Sequence, residues 1–112
     1  MSKLIDWINQ LRDNEEIEAI QIGDFGWGGG YKSTNELEDL TEKYKGKIVT
    51  ENEISFLLNR EFDDGYGRPE CNAILVYTKN WIISVSQYDG STNPFAIPRN
   101  PKEGFIPYMP GG

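Results

Sequence analysis

Alternating apolar segments separated by tight polar turns in the second half of the chain constrain its fold most strongly. Residues 73–77 (Ala-Ile-Leu-Val-Tyr) predict a buried strand, and residues 81–88 return antiparallel to it after a short turn. Residues 89–90 (Asp-Gly) predict the next turn. Residues 95–97 predict a short third strand that Pro98 ends, as suits a strand at a sheet edge. This half of the chain therefore predicts an antiparallel sheet.

The first part of the chain predicts a helix followed by one more strand. Apolar residues recur at helical spacing over residues 3–13, and Ser2 is available as the N-cap of this helix. In residues 17–22 the isoleucines alternate with polar neighbours, which predicts a half-buried strand that Gly23 ends.

Two capping boxes predict two more helices. Ser33 and Glu36 form the first box, and the helix that it begins is expected to end at Gly46. Thr50 and Glu53 form the second box, at the start of a short helix. The elements together predict an α+β fold, with an antiparallel sheet of about four strands packed by about three helices. The whole chain of 112 residues is expected to form a single domain.

The composition excludes several kinds of site. The chain has no histidine and one cysteine, Cys71, so histidine-based catalytic triads, histidine metal ligands, an intrachain disulfide and a thiolate metal cluster are all excluded. No cofactor is expected. The net charge is −7 and no dense basic face is evident, so direct binding to nucleic acid is not expected. No apolar stretch approaches the roughly 20 residues of a membrane helix. The N-terminal residues do not resemble a secretory signal, and we therefore expect a cytoplasmic protein.

A glycine-rich segment with three aromatic residues, residues 23–31, is the first candidate site. Its composition fits neither a helix nor a regular strand, and it lies between a predicted strand and a predicted helix. Free backbone N–H groups beside a helix N-terminus favour anions, and the aromatic rings offer faces on which a base can stack. The alternative is that the rings dock on the core. The residues expected to contact a ligand are Phe25, Trp27, Gly28, Gly29 and Tyr31.

The same segment is similar to a phosphate-binding P-loop but departs from it at one position. The P-loop pattern requires glycine immediately before the lysine, and here Tyr31 precedes Lys32. A tyrosine side chain would crowd the turn that folds the lysine over the phosphates. We therefore do not expect a true P-loop.

Further candidates lie in the later turns. The ligand-binding residues expected there are Tyr66, Arg68, Tyr88 and Arg99. Arg99 lies between two prolines and is suited to clamp a phosphate or carboxylate. The alternative for Arg99 is an ion pair with Asp89 or Asp64 that pins the turns together. The acidic residues Asp24, Asp63, Asp64 and Asp89 are candidates for a metal-dependent hydrolase. The full calcium-loop spacing is absent, which favours a structural Asx turn at residues 63–65.

Several short motifs, read together, carry a resemblance over most of the chain. They are Phe-Gly-Trp-Gly-Gly (25–29), Phe-Asp-Asp-Gly-Tyr-Gly (62–67), Tyr-Asp-Gly-Ser (88–91), Pro-Arg-Asn-Pro (98–101) and the final Pro-Gly-Gly (110–112). The chain resembles a group of small proteins from bacteria, phages and prophages that have no assigned activity. The resemblance brings no catalytic residues, and it implies a phage or mobile-element setting, with the host cytoplasm as the location.

The residues and the setting lead to an expected function. We expect a non-enzymatic binding protein that counters host defence by sequestering a small nucleotide-like immune signal, as an oligomer. An alternative is an inhibitor that binds a host defence protein through acidic helix faces and exposed aromatic residues. Its acidic residues are Glu36, Glu38, Asp39 and Glu42. A metal-dependent hydrolase is the most distant alternative.

Overall fold

Four strands form one antiparallel sheet in the order β1-β2-β3-β4. A computed structural model describes residues 1–28, 33–65 and 67–107. The strands are β1 (Ala19–Phe25), β2 (Asn72–Tyr77), β3 (Trp81–Tyr88) and β4 (Ser91–Pro98). The helices are α1 (Leu4–Leu11), α2 (Asn35–Tyr44) and α3 (Ser55–Asn59). The predicted α+β fold, with about four antiparallel strands and three helices, is confirmed.

One apolar cluster joins the helices to one face of the sheet. Buried residues from the three helices and from β1, β2 and β3 contribute to it, among them Ile8, Ile20, Leu37, Leu58 and Ile83, and β4 adds the partly buried Ala96. The apolar residues at i and i+4 place Leu4 and Ile8 of α1 on the same side, because an α-helix repeats every 3.6 residues. The helices therefore cover this inner face of the sheet.

The β3–β4 hairpin follows its sequence signals closely. Tyr88 pairs with Ser91, so the loop contains Asp89 and Gly90 alone. Both have positive φ, 49° and 82°, as a type I′ hairpin turn requires. Strand β4 is longer than the strand predicted at residues 95–97. It begins at Ser91 and continues through Pro94, although proline ordinarily interrupts a strand.

The prolines of β4 sit where they remove no hydrogen bond to β3. The N–H of Arg99 bonds to Asn80 on the β3 side, while the N–H of Thr92 points the other way and bonds to the carbonyl of Asp64 at 3.0 Å. Because successive N–H groups alternate along a strand, the nitrogens of Pro94 and Pro98 also point away from β3. Both prolines therefore direct their nitrogens toward the outer edge of β4, away from β3, and Pro98 was predicted to lie at such an edge.

All three helices begin differently from the prediction, and the first two have other N-caps. The N-cap of α1 is Lys3, because Ser2 instead pairs with Phe62 in a β-bridge. The N-cap of α2 is Thr34, whose hydroxyl accepts the N–H of Leu37 at 3.2 Å, so the predicted box at Ser33 is displaced by one residue.

The predicted box at Thr50 and Glu53 does form, with reciprocal bonds of 3.0 and 3.3 Å. It closes a turn, and α3 begins two residues later, at Ser55.

A carboxylate from the segment after α1 holds the turn between β2 and β3. Glu15 accepts hydrogen bonds from the Thr78 hydroxyl at 2.6 Å and from the backbone N–H of Asn80 at 2.9 Å. These bonds favour the ionised form, and they hold the pKa of Glu15 below its ordinary value, the Thr78 bond being the larger cause. The charge of Glu15 therefore helps to fasten α1 to the sheet.

Candidate ligand site

A bulge in β1 decides which aromatic side chains of the glycine-rich segment reach solvent. The pairing with β2 is regular from Ala19 to Ile22 and shifts by one residue before Phe25. The prediction that Gly23 ends the strand is therefore wrong. The extra residue reverses the side-chain alternation, and Phe25 turns into the core with 7% exposure. The Arg60 guanidinium lies 5.3 Å from its ring centroid, so the ring of Phe25 is not offered to a ligand.

A tight turn after the bulge presents Trp27 to solvent. The N–H of Gly26 bonds to the carbonyl of Cys71 at 2.8 Å, and the N–H of Gly28 bonds to the carbonyl of Phe25 at 2.9 Å. Gly26 has φ 58°, and a Cβ there would lie 2.7 Å from the Pro69 carbonyl oxygen. Glycine is therefore required at this position. Trp27, in the middle of the turn, keeps 65% of its surface exposed.

A cleft opens beside Trp27 because β2 and β3 pair along only part of their length. Their ladder comprises Val76 with Ile83 and Tyr77 with Ile82, next to the connecting turn. Beyond this point the Ser84 hydroxyl bonds to the carbonyl of Ile74 at 2.8 Å. The Ser84 hydroxyl thus donates to a carbonyl that would otherwise accept a backbone N–H of the neighbouring strand. The two strands separate from there toward Asn72 and Tyr88.

The cleft has a volume of about 140 Å³. Its walls include Trp27, Cys71, Ala73, Ser86 and Gln87. This volume is well below the roughly 300–1,000 Å³ of a site that encloses a whole drug-sized ligand. It is sufficient for the edge of one ring.

Arg68 lies against the exposed Trp27 ring, with its guanidinium carbon 5.7 Å from the ring centroid. The neighbouring Gly67 carbonyl accepts a hydrogen bond from Gln87 Nε2 at 2.5 Å, which ties this loop to β3. An aromatic face, a cation and a small, mostly apolar cleft therefore lie together at one end of the sheet.

The buried residues below the cleft have structural roles. Asn72 is 2% exposed, and its Nδ2 donates to the Gly23 carbonyl at 3.0 Å and to Thr41 Oγ1 at 2.8 Å. Burial raises the pKa of the Cys71 thiol to about 12. Cys71 is therefore a protonated thiol near neutral pH and not a nucleophile.

Arg99 lies at the opposite end of the sheet from Trp27. Its guanidinium pairs with Glu18 at 2.5 Å and donates to the carbonyl of Thr78 at 2.9 Å. Residues 74–77 of β2 separate Thr78 from Ala73 in the wall of the cleft, a distance of about 17 Å at roughly 3.3 Å a residue. Arg99 is thus engaged by a carboxylate, as the alternative interpretation holds, but the partner is Glu18 instead of Asp64 or Asp89.

The remaining predicted ligand-binding residues fall into two groups. Gly28 follows Trp27 in the exposed turn, and Tyr88, which is 58% exposed, ends β3 on the same side of the sheet as the cleft. Gly29, Tyr31 and Tyr66 lie outside the described residues.

The four candidate acidic residues do not form a metal site within the described chain. Asp24 pairs with Lys45 at 3.3 Å, and Asp64 accepts the Ser2 hydroxyl. Asp63 accepts the N–H of Gly65 at 2.9 Å, which is the predicted Asx turn. Among residues 1–28, 33–65 and 67–107, no three His, Cys, Asp or Glu side chains are placed to hold a metal ion.

A wider concavity of about 460 Å³ lies between α1 and β4, next to Trp81 and Phe105. It includes one polar group without a partner among the described residues, the indole N–H of Trp81, which is buried. A buried N–H is not accessible to a ligand in the concavity. The walls of this concavity also include Gln10 and Asp13. Its aromatic residue Trp81 is half-buried and already contacts Phe105 and Lys102, whereas Trp27 is 65% exposed, so the cleft beside Trp27 is the better candidate.

Sequence reasoning missed Ala73, Ser86 and Gln87, which line the cleft. They stand in ordinary strand patterns, and nothing in their types or spacing marks them. They become site residues only because β2 and β3 separate.

No family model, no curated protein and no solved structure matches this chain. No helix in the described part of the chain is long and apolar enough to cross a membrane.

Proposed function

We propose that this chain is a non-enzymatic binding protein that sequesters a small nucleotide-like ligand at the cleft beside Trp27. The observation that carries the proposal is the 65% exposure of Trp27 next to the opening between β2 and β3. A base stacked on this indole would gain about 1–3 kcal/mol, and stacking tolerates any base. The polar edge of the stacked base would then enter the cleft.

The charges near the cleft favour a ligand with few phosphates. Arg68 stands beside Trp27, and Lys45 pairs with Asp24 and Glu42. The chain as a whole carries −7. A ligand with several phosphates would be repelled more strongly than one with few, because the chain as a whole is acidic. A cyclic nucleotide, whose phosphates each carry one charge, fits this balance better than a nucleoside triphosphate.

The resemblance to small phage and prophage proteins supplies the setting. A protein of this kind, made in the cytoplasm of an infected cell, would hold an immune signal away from its receptor without changing it chemically. Sequestration needs no catalytic group, and Cys71, with its raised thiol pKa, is consistent with such a site.

A thermal-shift screen of the purified chain against linear and cyclic mono-, di- and trinucleotides tests the proposal. A ligand at about a hundred times its Kd should stabilise the fold by roughly 2.7 kcal/mol, which is several degrees in Tm for a domain of this size. A screen without any selective shift contradicts the proposal.

Matched variants test the placement of the site, by calorimetric titration with the best ligand of the screen. Trp27→Ala should weaken binding at least tenfold, whereas Phe56→Ala, an exposed aromatic residue on α3, should not. Arg68→Ala should weaken binding, and Arg99→Ala at the far end of the sheet should leave it unchanged. Equal effects of the two arginine variants would contradict the assignment.

A second candidate function rests on α2. The carboxylates of Glu36, Glu38, Asp39 and Glu42 are all exposed on this helix. Such a surface would dock on a basic face of a host defence protein, and the association would weaken as salt is added. If Glu38→Lys abolishes binding to a purified partner and Glu61→Lys, outside α2, does not, the result would support this function over ligand sequestration.

A further inference from the structure

The outer face of the sheet, opposite the helices, carries no charged residue. The outward positions are every second residue of 19–23, 73–77, 82–88 and 91–97, as the register of the sheet defines them. They include neither Asp, Glu, Lys nor Arg, although these four types make up 26% of the chain. A solvated sheet face ordinarily alternates apolar inward residues with polar and charged outward ones. This face departs from that pattern.

The outward positions also carry large apolar side chains that do not contribute to the core. Leu75 and Ile97 are 40% and 41% exposed, and Tyr88 is 58% exposed. Ile82 and Phe95 are half-buried, and neither is among the side chains packed on the apolar cluster. None of the outward residues is buried, and among the described residues this outer face is open except at the corner where the Arg99 guanidinium lies over the ring of Tyr77.

Both edges of the sheet are occupied, which leaves the outer face as the surface available for association. On the β1 side, Ile20 and Val49 form a β-bridge with bonds of 2.8 and 3.3 Å. On the β4 side, Pro94 and Pro98 have no N–H to offer, and the N–H of Thr92 is bonded to Asp64. Addition of a strand from another molecule is therefore disfavoured at either edge.

We propose that two copies of this chain associate through their outer sheet faces, as the two layers of a β-sandwich. The charge of the chain favours a second copy as the partner of this face. Two chains that each carry −7 repel one another, and an uncharged face is where they approach at the lowest electrostatic cost. A basic partner would gain more at the acidic helices, and an anionic membrane surface would repel the chain. Depletion of charge is also what distinguishes the centre of a protein interface.

The size of the face sets the strength of the association. Four strands about 4.8 Å apart, each about seven residues long at roughly 3.3 Å a residue, cover about 440 Å² in projection. Two such faces bury close to 900 Å² before the relief of the side chains is counted. This lies just below the roughly 1,200–2,000 Å² of a standard interface, so the dimer is weak and dissociates at low concentration.

One ion pair lies at a corner of the outer face. The ion pair of Arg99 and Glu18 lies beside Tyr77, with the guanidinium carbon 5.7 Å from its ring centroid. The phenol of Tyr77 is held by Gln21 at 3.0 Å, across the β1–β2 pair. Because the net charge of each chain opposes association, added salt should strengthen this dimer. An association through the acidic face of α2 would show the opposite dependence.

Sedimentation velocity of the full chain, over protein concentrations from micromolar to millimolar, tests the proposal. The monomer has a mass of 12.8 kDa, and we expect a shift toward twice that mass as the concentration rises, at a lower concentration in high salt than in low salt. A chain that remains monomeric throughout the range overturns the proposal, and so does a dimer that salt dissociates.

Matched variants then locate the interface. Ile97→Glu should weaken dimerisation at least tenfold, whereas Ile48→Glu, at a position that is 74% exposed and outside the sheet, should leave it unchanged. Leu75→Ser is a second, uncharged variant of the outer face in case the charged one fails to fold, and circular dichroism verifies the fold of each. Equal dimerisation of the Ile97, Leu75 and Ile48 variants overturns the proposal. Ala73 and Ser86 line the cleft and are also outward positions, so dimerisation is measured without nucleotide, and the substituted residues Ile97 and Leu75 do not line the cleft.

Discussion

Replacing the buried Asn72 by alanine should destabilise the fold at the point where β1, β2 and α2 meet. The side-chain amide of Asn72 uses both of its N–H groups, one on the Gly23 carbonyl and one on the Thr41 hydroxyl. Each bond contributes about 1 kcal/mol net, and a buried carbonyl left without a donor costs about a further 1 kcal/mol. The expected loss is therefore about 2–3 kcal/mol, or roughly 10 °C in Tm for a domain of this size.

Urea unfolding followed by tryptophan fluorescence measures this loss. The matched control is Asn93→Ala, because Asn93 is exposed and its side chain donates to the nearby Ser91 hydroxyl; the cost should stay below about 0.5 kcal/mol. Thr41→Val removes one partner of Asn72, and the double variant should be less destabilised than the sum of the two single variants, by about 1 kcal/mol. Additive losses, or a loss below about 0.5 kcal/mol for Asn72→Ala, would refute the reasoning.

Three further outcomes can be measured on the same protein. Gly26→Ala should cost about 3 kcal/mol, because a left-handed φ is combined with a clash on the Pro69 carbonyl, whereas Gly46→Ala, with φ 77° and open space around it, should cost about 1 kcal/mol in the same urea assay. Cys71, with its pKa raised to about 12, should resist alkylation by iodoacetamide at pH 8 in the folded chain and react once urea unfolds it; rapid labelling of the native chain would contradict the burial. The lowered pKa of Glu15 means that its stabilisation is fully present above the ordinary value of 4.5 and is lost as pH falls through the lowered value, so Glu15→Gln should flatten the fall in stability below pH 4.5; an unchanged pH profile would contradict this role.

The elements of the fold were predictable because local signals specify them. The Asp-Gly turn at residues 89–90 requires positive φ at both positions. Residues 73–77 are apolar throughout and predict a buried strand, but Ala73 and Leu75 are exposed, because only one side of β2 faces the core. The predicted strand at residues 17–22 ends too early because the bulge that extends β1 is set by pairing with β2, nearly fifty residues later. Long-range pairing of this kind has no local sequence signature.

The candidate site was predictable in part, for the same reason. The sequence left two alternatives open for Trp27, a ring offered to a ligand or a ring that docks on the core, and in the structure this side chain is 65% exposed. Phe25 and Trp27 look equivalent in sequence, and the bulge separates them into a core residue and a surface residue. Arg99 could not be placed, because the residues that hold it, Glu18 and Thr78, come from other parts of the chain.

The short ladder between β2 and β3 has a consequence for how the chain folds. The hairpin of β3 and β4 closes through a two-residue loop and can form within microseconds. The pair of β1 and β2 must close a loop of roughly fifty residues, which is slow because the loop entropy is lost before any contact forms. The two ribbons then join at the Thr78–Trp81 turn, through just two residue pairs. Hydrogen exchange should accordingly divide the sheet into two cooperative units, with the boundary running between its central strands.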